Sequence, residues 1–301
     1  MIYVLGSLNL DYVARTRVPK RGETVLADSF ETFCGGKGAN QAVAAAKLGG
    51  NTAMIGRVGT DDAGKRLKAG LRLAGVNETR VIERGADSGL AMIWVEGGDN
   101  RIVVAPNANF RFEETDIDEA LSDAGPGDIL MTQLEIPVPI VLYALKAAKA
   151  KGMVTILDPA PAVPDLPAEI FNFVDILTPN ETETEILTGV DPIDVVHIAL
   201  AVKKFYALGV KKAVLTLGKR GAVCAEEQTI TEIEAQDVKV VDTTAAGDTF
   251  CGALASRLAA GFNFVTACRF ANCAAQITIQ RKGAADSIPT LAEAEEAFGK
   301  M

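Results

Sequence analysis

The feature that most constrains this chain is an alternation running through most of its length, in which short β-branched runs are separated by Ala- and Leu-rich runs of helical period. MIYVLG, NTAMIGRVG, DILMTQL, MVTILDP and KKAVLTLG read as strands. GANQAVAAAKLGG, DDAGKRLKAGLRLAGV, PIVLYALKAAKAKG and the segment around His197 read as helices, several followed by Gly where a helix C-terminus favours left-handed backbone. This pattern predicts an α/β fold: a mostly parallel sheet between two layers of helices, Rossmann-like in its three-layer α/β/α build. No internal repeat, low-complexity tract or linker interrupts it, so residues 1–301 read as one domain.

Two stretches break the alternation. Residues 10–34 and 88–106 lack helical period, and the second is a hairpin pattern around Gly97-Gly98-Asp99-Asn100. Together they predict a small sheet standing off the main one. Such a sheet could act as a lid over a site at the sheet's edge, and its exposed edge and face could pair with a second subunit in a homodimer. Trp94, the single tryptophan, lies in this hairpin, where it either packs the lid or touches a ligand. From Asp242 onward the pattern changes to two long helices, a loop RKGAADSIP and a terminal helix.

Bulk chemistry removes several classes of function. A formal net charge of -9 argues against nucleic acid as the main partner, and an acidic protein that binds an anion must do so with backbone amides, helix N-termini or a metal. One histidine, His197, leaves little room for a Ser-His-Asp hydrolase or a multi-His zinc site, and it falls on an amphipathic segment away from other chemical signatures. Five cysteines without a C-x-x-C pair read as reduced thiols. The first residues read as a buried strand rather than a leader, and no apolar run approaches the roughly 20 residues of a membrane span. A cytoplasmic protein with no membrane partner is expected.

Three constellations carry chemistry. In DTTAAGDTF, the small residues Ala245, Ala246 and Gly247 precede Asp248 and a helical run, so amides at the helix start can converge on an anion. A carboxylate beside such a hole would repel a phosphate unless it takes a proton from an incoming hydroxyl; the alternative is that Asp248 only caps the helix. In FCGGKGANQA, Gly36, Lys37, Gly38 and Asn40 stand at a helix start, either letting a polar ligand approach the backbone or forming a tight strand-to-helix turn. The P-loop spacing is absent. In GSLNLD, Asn9 and Asp11 project to one side of an extended segment, where an amide and a carboxylate can hold neighbouring sugar hydroxyls. The missing G-x-G-x-x-G counts against a nicotinamide oxidoreductase.

GSLNLD, GGKGANQA, LTPNETE, TLGKRGA and DTTAAGDTFCGAL, in this order and at these separations, resemble the PfkB family of carbohydrate kinases, and within it the ribokinase branch. The resemblance covers essentially the whole chain. It implies that ATP is a co-substrate, and that Asn9, Asp11, Gly36, Lys37, Gly38, Asn40 and Glu135 hold a sugar whose primary hydroxyl Asp248 deprotonates. It implies that Asn180 and Glu183 act near the phosphates and their magnesium, and that Thr216, Gly218, Gly221, Gly247 and Asn272 serve the nucleotide. It further implies a potassium ion within the Asp242 carboxylate, the carbonyls of Thr244, Thr278, Arg281 and Gly283, and the Ser287 hydroxyl, an all-oxygen shell suited to a weakly charged hard ion. Cys251 stands where related kinases often carry Asn, a change expected to affect packing. Lys37 after the paired glycines points to D-ribose, with deoxyribose, another pentose or a nucleoside as alternatives. A non-catalytic sugar- or nucleotide-binding regulator is the rival from another class.

Overall fold

The computed structural model describes residues 1–85, 87–97 and 99–300, Asp99 by its backbone alone. In chain order its elements are β1 (Ile2–Leu5), β2 (Asn9–Arg15), β3 (Ser29–Gly35), α1 (Lys37–Lys47), β4 (Thr52–Val58), α2 (Asp62–Leu73), β5 (Val81–Glu83), β6 (Gly89–Glu96) and β7 (Asp99–Ala105). Then come α3 (Glu114–Ala120), β8 (Ile129–Thr132), α4 (Val138–Ala150), β9 (Val154–Leu157), β10 (Ile176–Leu177), α5 (Glu181–Thr188) and α6 (Val195–Ala207). The chain closes with β11 (Lys212–Thr216), β12 (Ala222–Glu226), β13 (Thr229–Ile233), α7 (Ala246–Ala259), α8 (Phe264–Thr278) and α9 (Leu291–Phe298).

A nine-stranded sheet in the order β13-β12-β11-β10-β9-β8-β1-β4-β5 forms the middle layer. It is parallel from β5 to β11, and β12 and β13 finish it as an antiparallel meander. Successive side chains of a strand point to opposite faces, so Ile2 and Val4 of β1 enter one apolar core while Tyr3 and Leu5 enter the other. The first core takes α1, α2, α7, α8 and α9; the second takes α3, α4 and α6. The three-layer α/β/α expectation is met. All five strands and four helices named from the sequence are present, and Gly49, Gly75, Gly152 and Gly209 adopt positive φ one residue past the C-caps of those helices. β5, β10, β12 and β13 escaped the sequence reading, β10 because two residues cannot display a period.

The two irregular stretches form a four-stranded sheet, β3-β2-β6-β7, with β2 parallel to β6 and antiparallel pairs on either side. Glu96 opposes Asp99 where the hairpin turns, and Gly98, part of the expected turn, lies outside the described residues. Phe30, Met92, Ile102, Val103 and Val104 of this sheet are exposed, and Trp94 is half-buried. His197 sits on the surface of α6, its ring nitrogen 2.7 Å from the Asp194 carboxylate that caps that helix. Among the described residues no helix is long and apolar enough to cross a membrane, and all five cysteines are free.

Candidate active site

Parallel strands deliver the residues after their carboxyl ends to one edge of a sheet, where ligands of open α/β folds bind. Ser7 follows β1 here, Gln133 and Glu135 follow β8, Asp158 follows β9, Asn180 follows β10, and Thr216 ends β11. Helix α7 adds Asp248 in its first turn and packs between α1 and α8. Its N-cap, Ala245, has φ 59°, a left-handed conformation that turns consecutive amides toward a common point.

Asp248 is buried, and both its oxygens accept hydrogen bonds: Oδ2 from Asn40 Nδ2 at 3.0 Å, Oδ1 from Gln41 Nε2 at 3.2 Å. Helix capping therefore does not account for its side chain, which points to α1. The same Gln41 nitrogen donates to Asp158 Oδ2 at 2.7 Å, and Gln41 Oε1 accepts from Gln133 Nε2 at 2.5 Å. Burial pushes the Asp248 carboxyl up, opposed by the Lys37 ammonium and the two amide donors. Burial also pushes Asp158 up to about 8, again against Lys37.

Of the glycines of GGKGAN, Gly36 and Gly38 pack against the protein's own backbone, and Gly35 packs against the Asp11 carboxylate. Gly36, at φ 92°, has Ser7 O within 2.8 Å of where a Cβ would stand, and Gly38 would meet the Gly6 carbonyl carbon at 2.6 Å. Gly36 makes the strand-to-helix turn with its positive φ, and both glycines let α1 pack closely onto the β1–β2 turn. Glu135 Oε2 ties this turn together, accepting from Ser7 Oγ at 2.5 Å and from the Lys37 amide at 3.1 Å. Burial would lower the Lys37 ammonium, yet Asp248, Asp158, Glu135 and Glu183 together hold it above its ordinary value. Asp11 is pushed up to about 7, first by burial and then by Glu135. The Asn9 side-chain oxygen accepts from Asn109 Nδ2 at 2.8 Å, so Asn9 is fixed by a neighbour not named from the sequence.

On the other side of α7 lies a cleft of about 970 Å³. Asn180, Thr216, Gly218, Gly221, Gly247 and Asn272, scattered over more than 90 positions, all line it. Asn180 and Glu183 form a reciprocal capping box on α5, with Glu183 Oε2 accepting the Asn180 amide at 2.8 Å and Asn180 Oδ1 accepting the Glu183 amide at 2.8 Å. Nothing lies within 4 Å of a Cβ built on Gly247. The Ala246 amide is directed to Thr243 O at 3.3 Å, so of the expected hole the Gly247 amide is the more available member. Asn272 Nδ2 donates to Glu234 O at 3.1 Å, bracing the cleft wall. Cys251 is buried with Sγ 3.3 Å from Thr178 Oγ1, and burial holds its thiol well above the ordinary value, in keeping with a packing role.

Asp242 links two loops. Its Oδ1 accepts from the Thr244 amide at 2.9 Å and the Thr244 hydroxyl at 2.6 Å, while Oδ2 accepts from the Gly283 amide at 3.1 Å. Thr278 Oγ1 donates to Thr249 Oγ1 or Ala274 O, Thr278 O accepts the Arg281 amide at 3.0 Å, and Ser287 Oγ donates to Ala284 O at 2.7 Å. Asp242, Thr278 and Ser287 thus present carboxylate, carbonyl and hydroxyl oxygens, a donor chemistry suited to a monovalent cation.

Ser7, Gln41, Gln133 and Asp158 were missed from the sequence. The available signal was position: Gln41 adjoins Asn40, and the other three follow strands that share one sheet edge.

Residues 1–291 match the pfkB family carbohydrate kinase profile. The bifunctional ribokinase/ribose-5-phosphate isomerase A of Fructilactobacillus sanfranciscensis is 41% identical over 294 residues, 96% of this chain, which spans about half (54%) of that relative's length. The ribokinase of Staphylococcus aureus is 37% identical over 300 residues, with 98% of each chain covered. The structure of Arabidopsis thaliana ribokinase complexed with ribose and ATP superposes with a TM-score of 0.91 at 34% identity, covering 99% of this chain and 98% of that one. The chain belongs to the pfkB family of carbohydrate kinases and is an ATP-dependent sugar kinase.

Proposed function

We propose that the enzyme transfers the γ-phosphoryl group of ATP to the primary (5-) hydroxyl of D-ribose or a close pentose. One observation carries the reading: Gly247 lines the open cleft, while the next residue, Asp248, is hydrogen-bonded to Asn40 on the opposite, polar side. Two consecutive residues thus join a nucleotide-sized cleft to a cluster of sugar-binding groups. Asp248 accepts the hydroxyl proton as the oxygen bonds to the γ-phosphorus and the bond to the ADP oxygen breaks. The Gly247 amide, with its neighbours Ala245 and Ala246, stabilises charge on the transferring group. Asn9, Asp11, Lys37, Asn40 and Glu135 hold the sugar, on a backbone shaped by Gly36 and Gly38. Thr216, Gly218, Gly221 and Asn272 cradle the nucleotide. Ribose is favoured because the Staphylococcus aureus and Arabidopsis thaliana relatives are ribokinases.

Asn180 and Glu183 sit beside the cleft and would meet magnesium through water; the metal supplies charge neutralisation on the phosphates. Asp242, Thr244, Thr278, Arg281, Gly283 and Ser287 would hold potassium, whose charge fixes the geometry of the loop before α7. In this reading the small sheet is a lid on a single 1–301 domain, and its exposed Phe30, Met92 and Ile102 support pairing of two chains into a homodimer. Free cysteines accord with the cytoplasm.

A panel of sugars, deoxyribose and nucleosides, assayed for ADP release in potassium and in tetramethylammonium chloride, tests this. D-ribose should give the highest kcat/KM, with a 5-phosphate product and a lower rate in tetramethylammonium. Preference for a nucleoside or hexose would overturn the substrate, and equal rates in the two salts would overturn the cation. A monomer by sedimentation would remove the dimer.

A further inference from the structure

We infer that Gln41 and Asp158 are positioning residues for Asp248: Asp158, acting through the Gln41 side-chain amide, fixes the orientation in which Asp248 meets the acceptor hydroxyl. This rests on the reading of Asp248 as the base. The geometry is a buried relay. The Gln41 nitrogen has two hydrogens, directed to Asp158 Oδ2 at 2.7 Å and Asp248 Oδ1 at 3.2 Å, and its oxygen takes the Gln133 N–H at 2.5 Å. All four side chains are buried. Rotating the Gln41 amide by a half-turn would set its oxygen against the Asp248 carboxylate and its NH2 against the Gln133 NH2, so the observed orientation is the one that satisfies both of these partners.

The partners come from separate elements. Gln41 is on α1, Gln133 follows β8, Asp158 follows β9 and Asp248 opens α7. Asn40, beside Gln41 in sequence, secures the other oxygen of Asp248. One Asp248 oxygen is thus set from α1 alone, the other through a side chain referenced to the central sheet. Removing the Asp158 acceptor leaves Gln41 a buried N–H with no partner and frees it to turn away from Asp248.

Burial, against the opposing Lys37 ammonium, pushes the Asp158 carboxyl up to about 8. Its Oδ2 can accept the Gln41 hydrogen whether or not the group is ionised. Asparagine preserves that acceptor; leucine does not.

The test compares Asp158→Leu, Asp158→Asn, Gln41→Met and the double variant Asp158→Leu/Gln41→Met in the full chain, with Asp248→Asn as control. Loss of a hydrogen bond to a charged group predicts a fall in kcat of about 10- to 100-fold for Asp158→Leu and for Gln41→Met. The KM values for sugar and ATP should stay within about threefold, and the double variant should be no worse than either single. Asp158→Asn should bring kcat back to within about threefold of the parent. At saturating sugar the acid limb of kcat should move to higher pH in Asp158→Leu and Gln41→Met, because ionised Asp248 loses a donor that favours it. The other charged groups around Asp248, namely Lys37 on α1, Glu135 after β8 and Glu183 on α5, are unchanged in these variants. Unaltered kcat in Asp158→Leu, or a fall with neither rescue by asparagine nor movement of the acid limb, would overturn the inference. Should Asp158→Leu not fold, Gln41→Met decides by the same readouts. An active Asp248→Asn would instead remove the base on which the inference stands, so the two failures are distinguishable.

Discussion

The two sides of α7 hold their ligand groups in opposite ways. Around Asp248, four carboxylates surround one ammonium, and the amides of Asn40, Gln41 and Gln133 interlock with them in a buried cluster. Across the helix, the cleft is open and presents glycines, short side chains and a capping box. A small neutral sugar offers only hydroxyls, so its recognition needs donors and acceptors fixed before binding. A nucleotide brings its own charge and a large surface, so backbone amides and shape serve it. In the proposed reading, the chemistry of this fold is set on the crowded side and fuelled from the open one.

Substitutions can break this contrast. The largest effect is expected from Asp248→Asn, which keeps shape and removes the base: kcat should fall by about 10³-fold, within the usual range for a lost general base, with sugar affinity by calorimetry changed only a few-fold. Substantial turnover would move the base elsewhere. Next, Gly247→Val should raise the KM for ATP about tenfold with little change in melting temperature, since a Cβ there meets no protein atom within 4 Å and intrudes on the cleft instead. A rise confined to the sugar KM would contradict the division between the two sides.

A smaller effect concerns Asp11. Its carboxyl titrates near 7, first through burial and then through Glu135, so the sugar KM should fall a few-fold between pH 6 and 8 as Asp11 ionises and becomes a full acceptor. In Asp11→Asn that dependence should vanish. The linkage has the opposite sign for stability. The folded state keeps the Asp11 proton that the unfolded chain releases near 3.8, so this stabilisation is present below that pH and lost as pH rises through 7. Asp11→Asn should therefore melt higher than the parent at pH 8 and not at pH 4. Smallest of all, His197→Asn should leave kcat and both KM values within about twofold, since His197 lies at the surface of α6 and pairs with Asp194.

Much of this was legible in the sequence because it is local. Small residues before Asp248 announce a helix start, and alternating strand and helix runs announce the layers. Asn180, Thr216, Gly218, Gly221, Gly247 and Asn272, named through the family resemblance from separate stretches of the chain, meet in one cleft. The glycines of GGKGAN show the limit of such reading. Gly36 and Gly38 are small because the β1–β2 turn lies against them, a contact between distant segments that a local pattern cannot assign.

The sequence by itself determined the layered fold, the irregular strands of the small sheet, and the small-residue turn that presents Asp248, since periodicity, turn chemistry and helix starts are properties of neighbouring residues. Only the tertiary structure decided which groups surround that carboxylate. Gln41, Gln133 and Asp158 lie on elements up to 117 positions apart, and in the chain they are ordinary polar residues. They become a relay because parallel strands end at one edge and α1 packs on α7, which brings their buried polar atoms within hydrogen-bonding reach of one another.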